Sequence, residues 1–438
     1  MRGQHPDITA DDMHRTMLFS RRSIVGAGTG LGLAAAMESG RIGVLAEEPE
    51  VRRPFPFRSR TISGALSPIS RTQSEQDDDL RAAYARWKAN YLIPLDDGLY
   101  RVAFGKAGTE HHAITVSEGQ GYGMVIVPHL AGDDPDARMI FDGLWQFVRA
   151  NPSGIDSRLM GWHIPEGESG SDSAFDGDAD IAYGLLLADA QWGSDGEIDY
   201  RAAAIEVLTG ILESTIGAES RYPLLGDWVD PEGAQYNQWT TRPSDFMLGH
   251  FRAFARATGD PAWNDVVTAC QRVIAEIQRN HSPETGLLPD FVQPVSSDNH
   301  TPCPADSGFL EGENDGAFGY NAGRTPWRIG VDALLNWDEQ SREQSAMISR
   351  WVEKSTGGEP QAIRAGYRLD GAPSEGSDYF TIFFAAPLAV AAMTAPDQQE
   401  WLNALYESIR EQSENYYEDS VALLCLLAIT GSFWDPTV

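Results

Sequence analysis

The sequence predicts an all-α fold made of six helical hairpins. Three observations predict it. From about residue 78 the apolar residues recur at helical spacing. Twelve segments carry that period, while strand-like alternation is sparse. Loops rich in Gly and Pro separate the segments, as helical hairpins require. One closed arrangement of six hairpins is a double ring, an (α/α)6 barrel. Periodicity yields the helix count and not the closure of the ring.

In chain order the predicted helices are 78–91, 118–131, 135–150, 178–192, 200–215, 243–258, 261–280, 325–337, 341–353, 379–394, 397–412 and 417–430. Start signals mark several of them. Asp134-Pro135, Asp260-Pro261 and Thr325-Pro326 each place proline where a first helical turn tolerates it. The helix at 118 opens with Gly119, Gly121 and Gly123, each costing about 1 kcal/mol relative to Ala inside a helix. That expense implies a close backbone approach. No repeat is visible at residue level, so the chain is not a simple solenoid.

The 438 residues include 64 Asp plus Glu and 33 Lys plus Arg, a net charge of −31. Only Lys88, Lys106 and Lys354 are lysines. Residues 1–53 are neutral, so the whole excess belongs to 54–438. A polyanion does not bind nucleic acid by neutralising phosphates. Scarce lysine with abundant carboxylate resembles the composition of halophile proteins, whose surfaces stay hydrated when salt screens charge. Cys270, Cys303 and Cys425 can form one intrachain bridge at most, and no CxxC pair occurs. No HExxH, P-loop or four-ligand metal spacing is present, so no cofactor and no metal are expected.

Arg21-Arg22 precedes a weakly apolar run, Gly26 to Met37, and looks like a twin-arginine export signal. The run is shorter than the ~20 residues that span a bilayer, so no integral membrane association is expected. The organisation read from the chain is a signal and the start of a linker over 1–53, a linker over 54–75, and one domain over 76–438.

Three segments concentrate the unusual residues. In Ser117-Glu118-Gly119-Gln120-Gly121-Tyr122-Gly123, Glu118 stands at a helix start; a capping role with Ser117 as N-cap is the plainer alternative. Asp176-Gly177-Asp178-Ala179-Asp180 suggests a calcium loop. That motif would need Gly at position 181 and Glu at 187, which are Ile181 and Leu187, so it fails. Three carboxylates also exceed what a helix cap needs. In the third, Phe309-Leu310-Glu311-Gly312-Glu313-Asn314-Asp315 precedes Tyr320-Asn321-Ala322-Gly323-Arg324-Thr325-Pro326-Trp327-Arg328. A solvated acidic loop is the alternative for Glu311 and Glu313.

Together, SEGQGYGM at 117–124, DGDADIAYGLLLADAQW at 176–192 and YNAGRTPWR at 320–328 resemble glycoside hydrolase family 8. YARWKANYL at 84–92, GDW at 226–228 and TRPSDFMLGHFRAF at 241–254 support the match. The resemblance implies an (α/α)6 barrel with a cleft across one end, cleaving β-glycan polysaccharides with inversion. It implies that Glu118 is the general acid and that Asp176 holds the distorted sugar and steadies developing positive charge. Many members carry the base as Asp at the position of Asn321, and an amide cannot take a proton. Two readings follow: a non-catalytic glycan-binding homologue, or a subgroup of chitosanases and β-1,3-1,4-glucanases in which a Glu on the preceding loop is the base. Glu311 fills that place, with Glu313 as the alternative. Tyr122, Trp162, Trp228, Tyr320, Asn321, Arg324 and Tyr379 are the expected substrate-binding residues, and Trp192 and Trp327 are expected in the core. Mixed-linkage β-glucan, cellulose-like glucan and chitosan all remain open as substrates.

Overall fold

A computed structural model describes residues 51–59, 63–167 and 171–438. The twin-arginine run lies outside the described residues. Twelve α-helices occur among those described, one for each predicted segment. They are α1 Gln73–Tyr91, α2 Ser117–His129, α3 Ala137–Ala150, α4 Phe175–Trp192, α5 Tyr200–Ser214, α6 Leu248–Thr258, α7 Ala262–Asn280, α8 Thr325–Asn336, α9 Glu339–Thr356, α10 Ile382–Ala392, α11 Gln399–Ile409 and α12 Tyr416–Ile429. Three two-stranded antiparallel ribbons decorate the loops: β1 Leu92–Pro94 with β2 Tyr100–Val102, β3 Thr115–Val116 with β4 His163–Ile164, and β5 Val292–Ser296 with β6 Asn299–Pro304.

The helices sort into two rings by composition. Odd-numbered helices bury one face, as α7 does with Trp263, Val266, Val267, Cys270, Val273, Ile274 and Ile277. Even-numbered helices other than α6 are buried nearly all round and sit inside, and every residue of α10 is buried. Each inner helix packs on the next, and α12 packs back on α2, which closes an (α/α)6 barrel. Each inner helix is preceded by an outer one that runs the opposite way. The six inner helices therefore run parallel, with their N-termini at one end.

The glycines of α2 have the reason the sequence demanded. A Cβ on Gly121 would lie 2.8 Å from Asp180 Cβ and 2.9 Å from the Gly177 carbonyl, so α2 and α4 meet backbone to backbone. Gly121→Ala is expected to cost about 1–3 kcal/mol by overpacking, read as a lower urea midpoint, and to lower activity by displacing the start of α4. Below that contact Asp180 accepts Arg328 Nη2–H at 2.6 Å and Nη1–H at 3.1 Å, and His250 Nε2 lies 2.9 Å away. This buried cluster ties α4, α6 and α8 together beneath the site.

Two expectations need correcting. Of residues 54–75, expected as a linker, those described are strapped to the barrel. Phe55 is buried, and its N–H donates to the Ala131 carbonyl at 2.7 Å. Ser59 N–H reaches Gly431 O and Leu66 N–H reaches Met393 O, at 2.9 and 2.8 Å. An extended, aperiodic chain shows no helical pattern, yet its donors are satisfied by carbonyls at helix ends. Helix α1 then starts at Gln73, capped by a Thr72–Glu75 capping box. Likewise the helix expected from 243 starts at Leu248. Pro243–Asp245 forms a separate 3₁₀ turn, and its side chains are committed to the site described below. Among the described residues no helix is long and apolar enough to cross a membrane, and all three cysteines are free.

Candidate active site

The N-termini of α2 and α4 deliver Glu118 and Asp176 to the same end of the barrel. Neither carboxylate is a cap. The N-cap of α2 is Val116 and that of α4 is Ala174, and neither makes a side-chain cap bond. Instead both acids converge on Arg324, which stands in the 3₁₀ turn before α8. Arg324 Nη1 donates to Glu118 Oε2 at 2.9 Å, to Asp176 Oδ2 at 2.8 Å and to Tyr122 OH at 3.3 Å. Its Nη2 donates to Ser244 Oγ at 2.9 Å and to Asn321 Oδ1 at 3.4 Å, and lies 3.6 Å from Asp245. The side chain is wholly buried. A buried guanidinium needs several anionic or polar partners, and the planar fork reaches five by hydrogen bonds, with Asp245 as a sixth neighbour.

The two acids are in opposite protonation states. Burial pushes the Glu118 carboxyl up to about 8 against the pull of Arg324, with the nearby Asp176 charge adding to the rise. Burial also pushes on Asp176, but the charges of Arg324 and Arg242 and the Arg324 hydrogen bond outweigh it and hold the carboxyl below its ordinary 3.8. Asp176 also accepts the Gly177 N–H at 2.9 Å. Near neutral pH Glu118 carries a proton and Asp176 does not. Tyr416 OH donates to the second oxygen of Glu118, at 3.3 Å.

The third carboxylate is Glu311. Arg242 Nη2 donates to its Oε1 at 3.1 Å, and Asn321 Nδ2 donates to its Oε2 at 2.7 Å. Arg242 Nη1 is also 3.8 Å from Asp176, so this arginine links the two acids. Glu313, two residues on, is exposed, and no hydrogen bond joins it to Arg242 or Asn321. The amide at Asn321 is therefore the hydrogen-bond donor that orients Glu311.

The expected sugar-contacting residues divide into two sets. Tyr122, Asn321 and Arg324 are buried: Arg324 holds Glu118 and Asp176, Asn321 holds Glu311, and Tyr122 holds Arg324. Tyr122 was expected to touch substrate; it sits fully buried behind Arg324 and accepts its N–H. Of the others, Tyr320 is buried and Trp162, Trp228 and Tyr379 are half-buried. Trp162 is half-buried beside the entry to α2, its carbonyl taking the Ser117 N–H at 2.9 Å. Trp228 is half-buried with its ring edge-on to Tyr236, which meets Phe309 on the Glu311 loop. The hydroxyls of Tyr320 and Tyr379 are 3.0 Å apart, and the Tyr320 ring stacks on Phe383. Tyr320, Tyr379, Glu311 and Asn321 share the wall of an open hollow of about 170 Å³. Trp192 and Trp327 lie in the core as expected. Of the aspartates beside Asp176, Asp178 accepts the Met160 N–H at 2.9 Å and Asp180 belongs to the buried cluster, so both serve the fold.

Arg242, Ser244, Asp245 and Tyr416 escaped the sequence reading of the site. The first three lie in the TRPSDF segment at 241–246, so a signal for them existed. Tyr416 had none, because it arrives from the last helix, 298 residues from its partner Glu118. Burial pushes Asp245 up to about 7, which makes it a second carboxyl near its titration point beneath Arg324.

Comparisons with known proteins agree with this construction. The chain is 39% identical over 386 residues to a beta-glucanase from Niallia circulans, covering 87% of this chain and 91% of that protein. It is 34% identical over 423 residues to an endoglucanase from Bacillus sp. (strain KSM-330), covering 94% and 88%. The solved apo structure of a beta-1,3-1,4-glucanase from Paenibacillus sp. X4 superposes with a TM-score of 0.83 at 38% identity, covering 88% of this chain and all of that one. The model of glycosyl hydrolases family 8 matches residues 54–431. With a closed (α/α)6 barrel and carboxylates gathered at one end of it, the chain belongs to glycosyl hydrolases family 8 and is a glycoside hydrolase.

Proposed function

We propose that this protein is an inverting endo-β-glucanase that cleaves β-1,4 linkages in a mixed-linkage or cellulose-like β-glucan. Glu118 is the general acid, protonating the leaving glycosidic oxygen. Glu311 is the base that takes a proton from the attacking water, and Asp176 holds the sugar at the point of scission and stabilises its positive charge. In an inverting enzyme the water occupies a gap of about 6.5–9.5 Å between acid and base. The observation that carries this reading is the 2.7 Å hydrogen bond from Asn321 to Glu311. An amide that orients a neighbouring carboxylate is a working part, which removes the reason to read Asn321 as a lost base and the chain as a mere glycan binder. The choice of glucan rests on the beta-glucanase, endoglucanase and beta-1,3-1,4-glucanase relatives.

The test is reducing-sugar release from lichenan, carboxymethylcellulose, chitosan and xylan, with the anomer of the first product read by NMR. Release of α-anomers from lichenan or carboxymethylcellulose is expected. Cleavage of chitosan alone would overturn the substrate assignment, and β-anomers would overturn inversion.

Asn321→Asp tests the Asn321–Glu311 pair. It replaces a donor by a like charge about 3 Å from Glu311, where two carboxylates cannot both stay ionised. A fall in kcat of about 10–100-fold near pH 6 is expected; an unchanged kcat would show that Asn321 does not serve the base.

Two further readings are part of the proposal. Arg21-Arg22 directs twin-arginine-type export, so replacing both with lysine is expected to retain the protein inside the cell. The lysine-poor acidic surface suits concentrated salt, and activity is expected to persist in molar sodium chloride.

A further inference from the structure

Glu311 and Asn321 stand ten residues apart on one connection, between β6 and the 3₁₀ turn before α8, and neither stretch lies in a helix or a sheet ladder that would fix it. Each stretch closes on a carboxylate of its own. Asp315 Oδ2 accepts the N–H groups of Leu310 at 2.7 Å and Glu311 at 3.0 Å, and its Oδ1 accepts Gly312 N–H at 2.9 Å. Asp290 Oδ1 alone accepts three, from Gly319 at 3.1 Å, Asn321 at 3.1 Å and Ala322 at 2.6 Å. Main-chain bonds join the two clamps. Phe291 N–H donates to Asp315 O at 2.9 Å, and Asp290 N–H donates to Ala317 O at 2.8 Å. Asp315 and Asp290 are buried, at 3% and 7% exposure, and among the described residues neither forms an ion pair. Three convergent peptide N–H groups are thus their main compensation, a strong reason to hold both stretches in one conformation.

We propose that Asp315 and Asp290 are positioning residues for hydrolysis: each clamps one stretch of this connection, and together they set the meeting of Asn321 with Glu311. Neither touches the substrate. This rests on the reading of Glu311 as the base. The physical warrant is that catalysis is steep in geometry, since about 1 Å of misplacement costs on the order of 10²-fold in rate.

The way the bonds are divided dictates the test. Asp315 uses both oxygens, so Asp315→Asn must turn an NH2 group toward at least one N–H. Asp290 uses one oxygen, so Asp290→Asn can keep all three bonds while Asp290→Ala keeps none. Expected on lichenan are a fall in kcat of about 10–100-fold for Asp315→Asn and for Asp290→Ala, KM within twofold of wild type, and Asp290→Asn within threefold of wild type. In a Glu311→Ala background, Asp315→Asn is expected to change the residual rate by less than twofold, because the residue it positions is gone. Equal losses in both backgrounds, a rise in KM with kcat unchanged, or equal losses for Asp290→Asn and Asp290→Ala would each overturn the proposal. Thermal melts identify any variant that fails to fold, and the Asp290 pair then decides. Should Glu311→Ala keep the wild-type rate, the base assignment itself falls, whatever Asp315→Asn does.

Discussion

Glu118→Gln is expected to lower kcat on lichenan by about 10²–10⁴-fold, the usual contribution of a positioned general acid, while binding of β-gluco-oligosaccharide survives. Gln keeps the shape, its one oxygen can accept from Arg324 and its NH2 can donate to the Tyr416 hydroxyl, but it has no acidic proton to give. The wild-type pH profile carries a second signature. As the proposed general acid, Glu118 must be protonated to act, and burial holds its carboxyl at about 8. Activity is therefore expected to fall as pH rises through about 8. The linkage to folding has the same sign. Its folded value exceeds its ordinary 4.5, so the folded state binds the extra proton and loses stability as pH rises from about 4.5 toward 8. Glu118→Gln is expected to remove that part of the pH dependence of urea unfolding. Undiminished turnover by Glu118→Gln would sink the assignment.

The second large effect belongs to Arg324. Arg324→Met leaves Glu118, Asp176 and Asp245 buried around a neutral side chain. Breaking a buried ion pair by removing one partner costs about 3–5 kcal/mol, measured as the change in unfolding free energy in urea at pH 7. Asp176 sets the pH dependence of that loss. Its carboxyl lies below 3.8 in the folded protein, so it contributes stability at neutral pH that is lost as pH falls through its folded value. Without Arg324 that contribution disappears, and the gap between variant and wild type is expected to be smaller near pH 3 than at pH 7. Arg324→Lys is expected to rescue little, because one ammonium cannot reach both the Glu118–Asp176 side and the Ser244–Asn321 side. A variant as stable as wild type at pH 7 would show that other groups neutralise the acids.

Much of this was legible in the residues. Every predicted helix exists, because helical period, proline at first turns and Gly-rich loops are local signals that packing reinforced. The starts at 73 and 248 were misread where local chemistry overrode period: a capping box extends α1, and Pro243–Asp245 is drawn out of α6 toward Arg324. A motif position does not tell whether a ring faces the cleft or the core, and Tyr122 is fully buried. Asp290 and Asp315 were passed over for a similar reason, since a carboxylate that accepts three peptide N–H groups looks in sequence like any other acid.

The sequence by itself determined the helical hairpins, the glycines that let α2 and α4 touch, and the segments that carry Glu118, Asp176 and Glu311. Those depend on neighbours a few residues away. Only the tertiary structure decided that α12 closes on α2, that Glu118 holds its proton while Asp176 does not, and that Asn321 serves Glu311. Charge states depend on burial and on partners such as Arg324, which is 206 residues from Glu118 and 148 from Asp176, and no local pattern encodes that distance.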